Sequence, residues 1–183
     1  MLTELEDQIE EVLITAEEIE ERIVELGAEI TADYEVDDDI VMVGILRGGI
    51  MFMSDLARHV DLPVTFDFMD VSSYDGTKSS GVVRIIKDLE ENIEGRHVLI
   101  VEDIIDTGLT LKHVVDFLAT RDPASIKICT LLDKPDRRTE KEVDMDYNGF
   151  EIPDKFVVGY GLDYNEKYRN VPYIFVLKPE VYE

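Results

Sequence analysis

The 183-residue chain has a single cysteine, no tryptophan, and only 18 basic residues against 42 acidic ones. Cys129 has no partner within the chain, which excludes an intrachain disulfide and a cysteine metal cluster. It lies in the apolar-leaning run 126–132, where a small buried hydrophobe is the role to expect. A net charge of −24 argues against the basic patches through which proteins hold nucleic acid or anionic lipid, and so points to a small-molecule partner, with no nucleic acid and no membrane. Composition does not distinguish a salt-adapted surface from one that is simply colloidally stable. No apolar run approaches the roughly 18 residues that cross a bilayer. The opening MLTELEDQIEE has no basic segment leading into an apolar one, so a cytoplasmic protein is expected. The histidines His59, His97 and His113 match no metal-ligand spacing.

What is present suits one α/β domain over residues 1–183, with no internal repeat or linker. Residues 9–14 read as a strand, and Thr15 with Glu18 as a capping box opening a helix that carries Ile19, Ile23 and Leu26 on one face, with Gly27 as its stop. The β-branched run 40–46, bounded by DDD and RGG, reads as a buried parallel strand, followed by a helix through Met53, Leu56 and Ala57. Residues 64–71 and 82–86 alternate as two strands around a polar loop, SSYDGTKSSG, suited to a lid. Gly95 introduces a strand over 97–101, then an acidic turn, then a helix over about 110–120. Further strands are expected over 126–132, 156–158 and 173–177. Strands alternating with helices predict a Rossmann-like central parallel sheet covered on both faces.

The stretch VLIVEDIIDTGLT, residues 98–110, carries the chemistry. An apolar strand ends in Glu102 and Asp103, followed by Asp106, Thr107, Gly108, Leu109 and Thr110, and ligand sites in open α/β sheets sit at such strand ends. Small and hydroxyl residues before a helix suit a phosphate cradle of free backbone N–H groups and Thr hydroxyls. Carboxylates beside a phosphate need another task, either accepting bonds from sugar hydroxyls or holding Mg²⁺. Taken singly, Asp106 and Thr107 read equally as helix caps, and Glu102 and Asp103 as solvated loop acids.

As a string, VEDIIDTGLT resembles the phosphoribosyl-diphosphate signature of type I phosphoribosyltransferases. The chain is similar to the hypoxanthine branch of that family at LRGG (46–49), SSY (72–74), LLDKPDRR (131–138) and FVVGYGLDYNEKYRN (156–170), which together span nearly its whole length. The resemblance implies a small hood built from the N- and C-terminal segments over the parallel sheet. It implies transfer of the 5-phosphoribosyl group from phosphoribosyl diphosphate to a 6-oxopurine, with Mg²⁺ as cofactor, by a homodimer or homotetramer.

Residue by residue, the resemblance gives Glu102 and Asp103 the ribose hydroxyls, partly through metal, and gives Asp106 to Thr110 the 5-phosphate. Asp106 takes a second role as proton partner of purine N7. Leu46, Arg47, Gly48 and Gly49 become the pyrophosphate loop, with a cis peptide between the first two, and Arg47 stands where lysine is frequent. Lys134 faces the oxygen at purine position 6, Phe156 stacks on the ring, and the Val157 backbone reads its far edge. Asp163 lies near a second metal and Arg169 near pyrophosphate. Ser73 and Tyr74 match a loop that closes over the reacting centre. Read without the family, LRGG is an ordinary strand-to-helix turn, Lys134 a solvent-exposed lysine and Phe156 a core residue. A regulatory relative that binds RNA through the same fold is disfavoured by the acidic charge.

Overall fold

In the computed structural model, which describes residues 7–73, 83–139 and 143–182, the elements follow in the order β1 (Ile9–Ile14), α1 (Ala16–Asp33), β2 (Ile40–Leu46), α2 (Gly49–Leu56), β3 (Val64–Ser73), β4 (Val83–Lys87), β5 (His97–Ile105), α3 (Leu109–Ala119), β6 (Ser125–Asp133), a 3-10 turn (Pro135–Arg137), β7 (Tyr147–Glu151), β8 (Val157–Val158), β9 (Ile174–Leu177) and α4 (Pro179–Tyr182). Six strands form one sheet in the order β4-β3-β2-β5-β6-β7, parallel except for the hairpin partner β4. The expected α/β fold is the observed one.

Alternate residues of the central strands serve two cores. Ile40, Met42, Leu99, Val101, Cys129 and Leu131 pack with Ile19, Ile23, Leu26 and Ile30 of α1 and with Phe52, Met53 and Leu56 of α2. Val41, Val43, Ile45, Val98, Ile100 and Ile128 pack with Leu111, Val114 and Leu118 of α3. Burial on both faces is why these strands read as unbroken apolar runs. A second sheet, β1-β9-β8, is antiparallel and joins the N-terminal strand to the C-terminal ones as the expected hood.

The capping box is present, with Glu18 N–H donating to Thr15 Oγ1 at 3.2 Å and Thr15 N–H to Glu18 Oε2 at 2.8 Å. Gly27, expected to end α1, does not, for the helix continues to Asp33. A Cβ on Gly27 would lie 2.5 Å from the carbonyl oxygen of His59, so this glycine allows close packing and does not break the helix. The acidic residues expected in a turn lie in a strand. Strand β5 continues past Val101 to Ile105, pairing Glu102 with Thr130 and Ile105 with Asp133 of β6. Strand β7 was not anticipated, because YNGFE contains the turn-forming Asn-Gly pair. Here Gly149 serves close approach, since a Cβ would meet the carbonyl oxygen of Leu131 at 2.3 Å. Arg22 of α1 binds the carbonyls of Asn148 and Gly149 at 2.8 and 3.3 Å. Strands β8 and β9 each begin one residue later than expected, leaving Phe156 and Tyr173 just outside them.

Candidate active site

The chain leaves β2 toward β3 on one side and returns to place β5 on the other, so the sheet's switch point lies between β2 and β5. The C-terminal ends of β2, β5 and β6 are therefore neighbours on one edge, with Gly44 opposite Val101 and Ile105 opposite Asp133. LRGG, the acid pair and Lys134 follow or close these three strands. They are brought together although 88 positions separate Leu46 from Lys134 in sequence.

The peptide joining Leu46 to Arg47 is cis, as the resemblance implied. Gly48 faces the acids so closely that a Cβ on it would stand 1.6 Å from Asp103 Oδ2, and one on Gly49 would stand 3.0 Å from the Val101 carbonyl oxygen. Asp103 is buried and accepts from the Ile104 N–H at 2.9 Å. Burial raises the Glu102 carboxyl well above its ordinary range, and the adjacent Asp103 charge raises it further. Asp103 is also raised, by burial. Two desolvated carboxylates side by side favour cations or hydroxyl donors in front of them.

Beside them, Glu102, Ile104 to Gly108, Thr110 and Leu111 line a cleft of about 100 Å³. Gly108, at φ +83°, turns the chain into α3, whose first intrahelical bond is Lys112 N–H to the Gly108 carbonyl at 2.9 Å. The N–H groups of residues 109–111 thus have no helical acceptor and converge with the Thr hydroxyls, an arrangement that favours an anion. Leu109 N–H leans on Thr107 Oγ1 at 3.4 Å.

Across the edge, Lys134 is buried, and its N–H bonds the Ile105 carbonyl at 3.0 Å, which ties the end of β6 to the end of β5. The solvent-exposed reading of this lysine does not hold. Nor is Phe156 a core residue: it is 39% exposed, with its ring 4.9 Å from Tyr182 and edge-on to Tyr164 at 5.9 Å. Val157 is buried in β8.

The hood loop supplies the remaining wall. Gly161, at φ +102°, sits so close to LRGG that a Cβ would meet the Gly48 carbonyl oxygen at 2.1 Å. Arg169 donates to the Gly161 carbonyl at 2.7 Å and pairs with Asp163 at 2.7 Å, while Glu166 pairs with Arg47 at 2.8 Å and Arg169 at 3.3 Å. Arg169 Nε is buried without an acceptor, a donor suited to an anion. Its hydrogen bond to Glu166, with that of Arg47, holds the Glu166 carboxyl below its ordinary range.

Residues 8–165 match the phosphoribosyl transferase domain family. The chain belongs to the phosphoribosyltransferases. Over 180 residues it is 55% identical to the hypoxanthine-guanine phosphoribosyltransferase of Bacillus subtilis (strain 168), an alignment covering 98% of this chain and 99% of that protein. It is 53% identical to the Mycobacterium avium protein of the same name, covering 96% of this chain and 89% of that one. Its fold superposes on a crystal structure of a hypoxanthine phosphoribosyltransferase from Staphylococcus aureus with a TM-score of 0.93 at 53% identity, covering 98% and 97% of the two chains.

Among the described residues of this phosphoribosyltransferase, no three His, Cys, Asp or Glu side chains converge as a metal cage. Asp163, expected with Glu102 and Asp103 as a metal ligand, pairs with Arg169 and accepts from the Glu166 N–H. An oxygen-only pair of carboxylates fits Mg²⁺ delivered with a diphosphate, because that ion keeps several waters and takes phosphate oxygens as ligands. Tyr74 lies outside the described residues, and of Ser73 only the backbone, at the end of β3, is described. Among the described residues no helix is long and apolar enough to cross a membrane. Arg137, Asp154 and Glu166, to which the motifs assign no role, pair with one another or with motif residues: Arg137 with Asp106 and Asp154, and Glu166 with Arg47.

Proposed function

We propose that this enzyme acts in purine salvage, transferring the 5-phosphoribosyl group from phosphoribosyl diphosphate to N9 of hypoxanthine or guanine and releasing pyrophosphate with IMP or GMP. The observation that carries this reading is the meeting, on one sheet edge, of a phosphate cradle, a desolvated acid pair and a buried lysine. Full-length similarity to hypoxanthine-guanine enzymes supports it.

In this mechanism the backbone N–H groups and hydroxyls of residues 106–110 bind the 5-phosphate and fix the ribose. Glu102 and Asp103 accept the ribose hydroxyls and stabilise positive charge on the ring as the bond to pyrophosphate loosens. The loop of Leu46, Arg47 and Gly48, with Arg169, receives the departing pyrophosphate. Glu102, Asp103 and Asp163 would hold Mg²⁺, which would supply Lewis-acid charge neutralisation to the diphosphate. Lys134 donates to the oxygen at purine position 6, which adenine lacks, and Phe156 stacks on the ring while Val157 reads its far edge. Asp106 accepts the N7 proton as N9 attacks. Ser73 and Tyr74 close over the centre and exclude water.

The enzyme works in the cytoplasm, where its phosphorylated substrate is retained, as a homodimer or homotetramer. Exposed Ile50, Met51 and Phe66 beside an apolar cleft of about 370 Å³ support a subunit contact. Incubation with Mg²⁺, phosphoribosyl diphosphate and each purine in turn, followed by chromatography, tests the assignment. Hypoxanthine and guanine are converted and adenine is inert; absence of nucleotide from every base overturns it.

A further inference from the structure

Lys134, Asp154, Arg137 and Asp106 form an unbroken row of alternating charge. Lys134 Nζ lies 3.7 Å from Asp154 Oδ1, the same oxygen lies 3.4 Å from Arg137 Nη1, and Arg137 Nε lies 2.9 Å from Asp106 Oδ1. The last contact lies off the N–H direction, so Asp106 Oδ1 is shielded from solvent yet accepts no hydrogen bond. The row spans the two turns that frame the base side of the site. Arg137 closes the 3-10 turn after Lys134, where its own N–H returns to the Lys134 carbonyl at 3.0 Å. Asp154 sits in the turn after β7, two residues before Phe156, where the Lys155 N–H bonds the Pro153 carbonyl at 2.7 Å. Neighbouring Arg138 is engaged elsewhere, on Asp133 at 2.8 Å and on the Val143 carbonyl at 3.1 Å.

Only the Lys134 end of this row is buried. Its side chain is 9% exposed, whereas those of Asp154, Arg137 and Asp106 are 51%, 46% and 43% exposed. Exposed ion pairs add little to folding stability, so the row is not explained by holding the turns together. Direct pairing of Lys134 with Asp106 would neutralise both, and a base would have to part them. Two intervening charges instead give each end an opposite charge beside it without pairing the two ends directly.

We propose that Asp154 and Arg137 are positioning residues for base recognition, Asp154 orienting the Lys134 ammonium and Arg137 the Asp106 carboxylate, and that the two act as one unit. The proposal rests on the roles given above to Lys134 and Asp106. Arginine suits the middle place because its Nε and Nη1 reach two carboxylates at once, whereas a lysine ammonium is a single point charge.

Steady-state kinetics of the full chain, with hypoxanthine and phosphoribosyl diphosphate varied separately, tests this on Asp154→Asn, Arg137→Gln, Arg137→Lys, the double variant Asp154→Asn/Arg137→Gln, and Lys134→Met as reference. In both the Asn and Gln single variants the KM for hypoxanthine rises about five- to twentyfold while that for phosphoribosyl diphosphate stays within about twofold. Arg137→Lys recovers part of the loss, the double variant loses less than the product of the singles, and melting temperatures stay within a few degrees. An unchanged hypoxanthine KM in both single variants, with Lys134→Met impaired, overturns the row alone. A parallel rise in both KM values with a lowered melting temperature also overturns it, as a structural effect. An unimpaired Lys134→Met instead overturns the role given to Lys134, and the row with it.

Discussion

The Asp103 carboxylate occupies the space in which a side chain on Gly48 would stand, 1.6 Å from where its Cβ would be. The loop of residues 46–49 and the acid pair are thus packed into each other, and neither can shift without the other. Gly48→Ala therefore displaces Asp103 or opens the loop. Overpacking of this kind costs about 1–3 kcal/mol. The expected outcome is a melting temperature lower by several degrees and a loss of activity larger than the stability change explains, concentrated in the KM for phosphoribosyl diphosphate. Calorimetry and kinetics on one preparation check it, and unchanged kinetics would contradict the packing described.

Glu102→Gln is expected to stabilise the ligand-free protein while abolishing most activity. Burial and the Asp103 charge raise the folded-state pKa of Glu102 above its unfolded value. The ionised carboxylate is therefore penalised in the folded state. That penalty is absent below the unfolded pKa of about 4.3 and grows as pH rises toward the folded value. The variant's advantage in melting temperature, worth roughly 1 kcal/mol, should be larger at pH 7 than at pH 4. Thermal scans at the two pH values decide it.

Phe156→Leu separates stacking from packing. Phe156 is 39% exposed, so folding loses little when its ring is trimmed. Stacking on a base is worth roughly 1–3 kcal/mol, so the KM for hypoxanthine should rise about 5- to 150-fold with little change in urea midpoint. A destabilised protein with unaltered KM would return Phe156 to the core.

Asp33 should contribute to acid sensitivity. Hydrogen bonds from the Lys127 ammonium and then the Tyr147 hydroxyl, at 2.8 and 2.7 Å, hold its carboxyl below the ordinary value. A depressed folded pKa gives stability that is present above the unfolded value of about 3.9 and is lost as pH falls through the folded one. Asp33→Asn should accordingly lower the urea midpoint at pH 7 and narrow the difference from the parent near pH 3.

The linear order of residues determined more of this protein than its shape alone. Periodicity marked β1, β2, α1 and the two-faced burial of the sheet, because each pattern arises from neighbours in sequence. The string from Glu102 to Thr110 marked a candidate phosphate cradle for the same reason, since its acids, hydroxyls and glycine are contiguous. Tertiary contact decided the rest. Gly27 and Gly149 resemble a helix stop and a turn, yet both serve close approach to the backbone of distant residues, which no local pattern records. Strand β7 exists because β6 offers it a pairing edge and Arg22 satisfies its outer carbonyls. Lys134 becomes buried only when β6 is laid beside β5, and Arg137 reaches Asp106 and Asp154 only across turns far apart in sequence. Charge and hydrogen-bond partners depend on distance in space, and the chain's own order specifies that distance only within a turn of helix or a run of strand.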